Sequence, residues 1–158
     1  LAALGAAGLQ VEVVNGISAG FAAAAGLGFS LTHRDCAHGV VFVTGHAKAG
    51  SAGTDWRALA TTARQAKLTL VVYMGVSGAA SIQSELLHGL PAATSVAIIQ
   101  NASLPTQRHA VCRLDALAAT IACEQLASPS VIVVGDVLHG LLAAGLGITG
   151  MGAQTQVA

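Results

Sequence analysis

Apolar, β-branched runs alternate along the chain with Ala-, Leu- and Gln-rich stretches of similar or greater length, a rhythm that places strands and covering helices in turn. The runs predict strands at 11–14, 40–44, 70–74, 96–100, 109–113 and 131–134, and the stretches between them predict helices at 19–26, 56–66, 79–88 and 114–125. The strand runs are apolar almost throughout rather than at every second position, so both faces of the sheet should be covered. Only residues 101–108 separate the fourth run from the fifth, and Pro105 lies among them. That gap is too short for a helical crossover and predicts a hairpin-like return. The expected architecture is therefore α/β, with a mixed, mostly parallel sheet and helices on both faces. Several predicted strands run directly into turns of small residues: Asn15-Gly16-Ile17-Ser18-Ala19-Gly20, Thr44-Gly45-His46 and Met74-Gly75-Val76-Ser77-Gly78. In open α/β sheets ligands bind beyond the carboxyl ends of the strands, where such turns let the backbone come close.

Composition narrows the classes of partner. Of 158 residues, 54% are apolar and 9% charged, with seven Lys+Arg against seven Asp+Glu. Disorder is excluded, and no net field draws the chain to nucleic acid or an anionic membrane. A small molecule or another protein domain remains. The length suits one domain, and the shortage of charge for its surface points to a large buried interface. Cys36, Cys112 and Cys123 form no C-x-x-C pair or ligand rhythm, and read as small buried hydrophobes in a reducing, cytoplasmic setting. No stretch offers the strongly apolar length of a membrane span. The chain opens on Leu1 with no basic leader region and reads as a piece of something longer.

The chemistry-bearing patterns are few. Gly145-Leu146-Gly147-Ile148-Thr149-Gly150 spells a dinucleotide fingerprint, but no clean strand precedes it and only residues 151–158 follow; a glycine-rich tail is the reading. Thr32-His33-Arg34-Asp35 concentrates polar groups in a chain with little charge. Arg34 could grip a carboxylate bidentately, or the segment could be a solvated loop with an internal ion pair. The six histidines follow no metal-ligand spacing, so no metal is expected, and His46 at a strand end is the one best placed to touch a ligand. Gln107-Arg108 forms a second polar knot beside Pro105, with surface as the default. Met74 would ordinarily be core filler, and no G-x-S-x-G nucleophile elbow occurs.

Taken together and in order, these turns resemble the C-terminal half of uroporphyrinogen-III C-methyltransferases, S-adenosylmethionine (SAM)-dependent members of the tetrapyrrole methylase family. The resemblance runs from about Val11 to Val137 and rests on Val-Glu-Val-Val-Asn-Gly-Ile-Ser-Ala at 11–19, Leu-Thr-His-Arg-Asp at 31–35, Phe-Val-Thr-Gly-His at 42–46 and Asp55-Trp56. Val-Val-Tyr-Met-Gly at 71–75, Gln-Asn-Ala-Ser-Leu-Pro-Thr-Gln-Arg at 100–108 and Ser-Pro-Ser-Val-Ile-Val-Val-Gly at 128–135 complete it.

The resemblance implies SAM contacts at Ser18, Ala19, Met74 and Ala102, with Arg34 and His46 facing the tetrapyrrole and Arg34 clamping a propionate. It further implies methylation of uroporphyrinogen III at C2 and then C7 to give precorrin-2, on the route to sirohaem or cobalamin, and a homodimer. The family's glycine-rich opening turn and Gly-Gly-Asp-Pro loop do not occur in these residues, and Asn15 stands where the family has proline. Residues 1–16 are thus expected to be the end of an N-terminal domain and a linker, 17–137 the C-terminal domain and 138–158 the tail, with no catalytic acid or base in this chain. A methylase of another corrinoid precursor, or a non-catalytic binding or dimerisation module, are the alternatives.

Overall fold

The computed structural model describes residues 1–46 and 53–143. Its elements are α1 (Ala2–Ala6), α2 (Ala19–Leu27), β1 (Gly39–Thr44), α3 (Trp56–Ala66), β2 (Leu68–Tyr73), α4 (Ala79–Leu86), β3 (Ser95–Gln100), β4 (Arg108–Arg113), α5 (Leu117–Cys123), β5 (Ser130–Val134) and α6 (His139–Ala143). Single 3-10 turns lead into α5 and α6. The strands form one sheet in the order β1-β2-β5-β3-β4.

The sheet is mixed, as expected, but not mostly parallel. Only β1 and β2 pair in parallel, while β2–β5, β5–β3 and β3–β4 are antiparallel. The last strand inserts between β2 and β3 and runs against both. A continuously apolar run reports burial on two faces and is silent about direction, which is why the pattern alone misjudged it. The short return through Pro105 is the hairpin expected, pairing Gln100 with Arg108.

Both faces carry a core. On one, Leu70, Val72, Val96, Ile98, Ile132 and Val134 meet Ala60 and Ala63 of α3, Ile82 and Leu86 of α4, and Leu117 and Ile121 of α5. On the other, Val71, Ala97, Ile99, Val131 and Val133 meet Ala23 and Ala24 of α2, together with Leu31 and Leu138. The helices follow from local chemistry. Asp55 caps α3 by accepting from the Ala58 N–H at 3.0 Å, and Lys67 ends the helix in the left-handed region with φ 52°. Helix α2 is nearly all Ala and Gly, which lets it lie close on the sheet. A Cβ on Gly20 would come within 2.8 Å of Phe42, Val71 and the Tyr73 hydroxyl.

Other expectations are corrected. The strand at 11–14 does not form: residues 9–18 have no regular structure, with Val13 and Val14 exposed. A strand needs a neighbour for its N–H and C=O groups, and no described strand pairs with this one. Of the three free cysteines only Cys112 is buried; Cys36 is intermediate and Cys123, at the end of α5, is exposed. Leu138, assigned by sequence to the tail, is fully buried, and the G-x-G-x-x-G spelling at 145–150 lies outside the described residues. Among those described, no helix is long and apolar enough to cross a membrane.

One titration follows from the packing. His109 on β4 is partly buried, and burial holds its imidazole below the ordinary value. The unfolded chain therefore binds the proton first. Its contribution to stability is complete above about pH 6.5 and declines as the pH falls from there through the folded value. Urea unfolding at about pH 7.5 and 5.5 should show this decline in the parent chain and a smaller one in His109→Gln.

Candidate functional site: a cleft at the ends of β2 and β3

Strands β1, β2 and β3 point the same way, since β2 and β3 both oppose β5. Their carboxyl ends, Thr44, Tyr73 and Gln100, therefore share one end of the sheet with the start of β5. A cleft of about 320 Å³ opens there, floored by Ile99 and Val131 and walled by Ala19, Tyr73, Met74, Asn101 and Ala102, with Leu104 and residues 128–130 completing it. Among the described residues no charged side chain lines it.

The backbone makes this cleft. Met74, Asn101 and Ser103 all adopt positive φ, at 53°, 53° and 67°, so the chain leaves β2 and β3 in sharp turns. Such a conformation is ordinary for Asn and uncommon for Met. At β2 the turn is held by the Gly45 N–H, which donates to the Tyr73 carbonyl at 2.6 Å, and by Gly75, where a Cβ would press on Val72 and Ile132 at 3.0 and 3.1 Å. At β3 the turn closes on itself. The Leu104 N–H donates to the Asn101 carbonyl at 2.9 Å, and Asn101 Nδ2 donates to Thr106 Oγ1 at 3.1 Å. The Ser103 N–H donates to Gln107 Oε1 at 2.8 Å.

The structure brings together most of the residues singled out from sequence. Ala19, Met74 and Ala102 line the cleft, Ser18 stands beside it hydrogen-bonded to the Tyr73 hydroxyl, and His46 follows β1 at the same end, its N–H on Thr44 Oγ1 at 3.3 Å. Arg34 is elsewhere. It occupies a turn closed by paired backbone bonds between His33 and Ala37, before β1 begins. Lys67 Nζ, at the start of β2, donates to the Asp35 carbonyl of that turn at 3.0 Å. The whole six-residue length of β1, about 20 Å, separates it from the cleft. The ion-pair partner of the Asp35 carboxylate is His33 Nδ1 at 3.8 Å rather than Arg34. Arg108 is likewise engaged, donating to the Glu124 carbonyl at 2.8 Å.

Sequence reasoning missed Tyr73 and Phe42. Their rings stack at 6.1 Å, and Phe21 continues the row 5.3 Å from Phe42. The available signal was that the one tyrosine of the chain ends an otherwise apolar strand, where its polar tip needs a partner.

Residues 1–118 match the family model for Tetrapyrrole (Corrin/Porphyrin) Methylases. The chain belongs to the tetrapyrrole methylase family. Among its relatives, siroheme synthase of Azotobacter vinelandii is 45% identical over 137 residues, covering 86% of this chain and 29% of the relative. Siroheme synthase of Chromobacterium violaceum is 44% identical over 140 residues, covering 88% and 29%. Among solved structures, uroporphyrin III C-methyl transferase from Thermus thermophilus in complex with S-adenyl homocysteine superposes with TM-score 0.69 at 32% identity, over 87% of this chain and 57% of that one. Cobalt precorrin-4 methyltransferase, at TM-score 0.75 and 20% identity, shares the fold. The chain thus spans under a third of its curated relatives' length and just over half of the solved chains'. The family match stops at residue 118, although β5, beyond it, occupies the middle of the sheet.

Proposed function

We propose that this chain is the C-terminal, cofactor-binding part of a SAM-dependent methyltransferase acting on uroporphyrinogen III at C2 and then C7, to give precorrin-2. The observation that carries the reading is the cleft itself: Ala19, Met74 and Ala102, far apart in sequence, wall one site at the strand ends. Its size falls in the range of small-molecule sites. Apolar walls with sharply turned peptide groups suit a nucleoside and a thioether chain better than a phosphate or a metal.

SAM, when bound, supplies an electrophilic methyl group; the residues here bind and orient it. Alignment of that methyl with a pyrrole carbon is the main demand of such a displacement, so rigidity of the turns at Met74 and Ala102 supports the chemistry. Among the described residues the cleft lining offers no cation to the carboxylates of a tetrapyrrole. Of the two substrate residues the resemblance implied, His46 stays in the reading as a rim residue, and Arg34, at the far end of the sheet, does not enter it. The second wall and the proton-transfer groups are proposed to come from a part of the longer protein outside these residues, which also gives the apolar rim at Phe21, Phe42 and Leu104 something to pack against.

Titration calorimetry with S-adenosylhomocysteine tests this on the full-length protein that carries these residues and on the present chain alone. The full-length protein should bind, with the isolated chain at least about tenfold weaker because half a site retains only part of the contacts. Incubation with SAM and uroporphyrinogen III should add two methyl groups by mass. Binding without methyl transfer would favour the non-catalytic module, and no binding in either protein would overturn the reading.

A further inference from the structure

We propose that Tyr73 is a positioning residue for the cofactor, its phenol hydroxyl holding Ser18 and Ala19 at a fixed separation from Met74. The proposal rests on the SAM reading above. Tyr73 is the last residue of β2, and the next residue, Met74, is one lip of the cleft. Ala19, the first residue of α2, is another lip. Between Ala19 and Tyr73 the chain passes through α2, the Arg34 turn, β1 and α3, so their separation is not set by local geometry. The Tyr73 hydroxyl sets it. It accepts from the Gly20 N–H at 3.1 Å and shares a hydrogen bond with Ser18 Oγ.

Two further observations show that this contact is built. Ser18 occupies the N-cap position of α2 but makes no side-chain cap bond of its own, so the first turn would be left with a donor lacking a partner; the tyrosine supplies the missing acceptor from another element. Gly20 is required for the approach, because a Cβ there would lie 2.8 Å from the Tyr73 hydroxyl and equally close to Phe42 and Val71. The ring is held independently by stacking on Phe42 with a 14° angle between planes. A phenol that accepts from Gly20 can donate its one proton to Ser18 Oγ, which leaves the serine proton for an acceptor on a ligand.

The test uses the full-length protein with Tyr73→Phe, Ser18→Ala and the double variant. Tyr73→Phe keeps the ring and its stacking and removes only the hydroxyl. The dissociation constant for S-adenosylhomocysteine and the KM for SAM should each rise about five- to tenfold, because the lost hydroxyl takes with it both bonds that hold the start of α2. The KM for the tetrapyrrole should stay within about twofold. Ser18 is exposed, so Ser18→Ala folds even if the tyrosine variant does not, and it should show the same pattern. The double variant should be no worse than the weaker single, since both remove one coupled contact. Additive losses, or unchanged affinity in either single variant while the parent binds, would overturn the positioning role and leave the SAM reading standing. A parent protein that binds no S-adenosylhomocysteine would overturn both.

Discussion

Gly45→Ala should destabilise the fold by about 1–3 kcal/mol, the usual cost of forcing atoms into a filled space, and weaken cofactor binding along with it. A Cβ at this position would lie 2.6 Å from Gly75 Cα and 3.1 Å from Gly75 N. Both are backbone atoms, so no rotamer change relieves the contact. The two turns that leave β1 and β2 would have to separate, and the Gly45 N–H bond to the Tyr73 carbonyl would lengthen one residue from Met74. Gly140→Ala is the counterpart of opposite sign. It lies inside α6, where a Cβ meets nothing within 4 Å, and removing a helical glycine should stabilise by up to about 1 kcal/mol. Urea unfolding of both variants decides the matter. A Gly45→Ala midpoint equal to or above the parent's would mean that the strand ends yield more easily than their packing indicates.

How far this site could be read without a structure differs from one residue to the next, for physical reasons. Central strands such as Leu68–Tyr73 and Ser95–Gln100 were legible because burial on two faces leaves mostly apolar residues between their ends, and α3 was legible to the residue because Asp55 caps it and Lys67 stops it. Strand direction was not, because the apolar run of β5 reads the same from either end. The strand expected at 11–14 shows the converse: a run of valines favours extended backbone, but pairing is a property of the neighbour, not of the run. At the site, Ala19 and Ala102 carry no chemistry that composition or spacing could flag; only the family resemblance singled them out. Arg34 was conspicuous for its charge in a chain poor in charge, yet charge says nothing about which end of a strand a loop occupies. Tyr73 is the reverse case, overlooked among apolar neighbours although its hydroxyl organises the start of α2.

Met74→Asp should abolish most cofactor affinity while leaving the stability of the chain nearly unchanged. In the chain by itself Met74 is 57% exposed, so a carboxylate at this position stays hydrated and needs no buried partner. Its φ of 53° is also better tolerated by Asp than by an unbranched apolar residue, and the unfolding free energy should move by no more than about 0.5 kcal/mol. Binding changes the balance, because a ligand that closes over the lip removes water from the new charge, a cost of several kcal/mol unless a partner is present, and among the described residues the cleft lining has no cation to serve as one. The affinity for S-adenosylhomocysteine should fall at least about thirtyfold, roughly 2 kcal/mol. The thioether product is the better probe, since its sulfur is uncharged, whereas the sulfonium of SAM would attract the carboxylate and mask part of the loss. Met74→Leu, which keeps the volume and the apolar surface, should stay within about threefold of the parent. Equal affinities in the parent and the Asp variant would remove Met74 from the contact surface, and a large loss of stability in the absence of ligand would mean that the lip is covered in the full-length protein before the cofactor arrives.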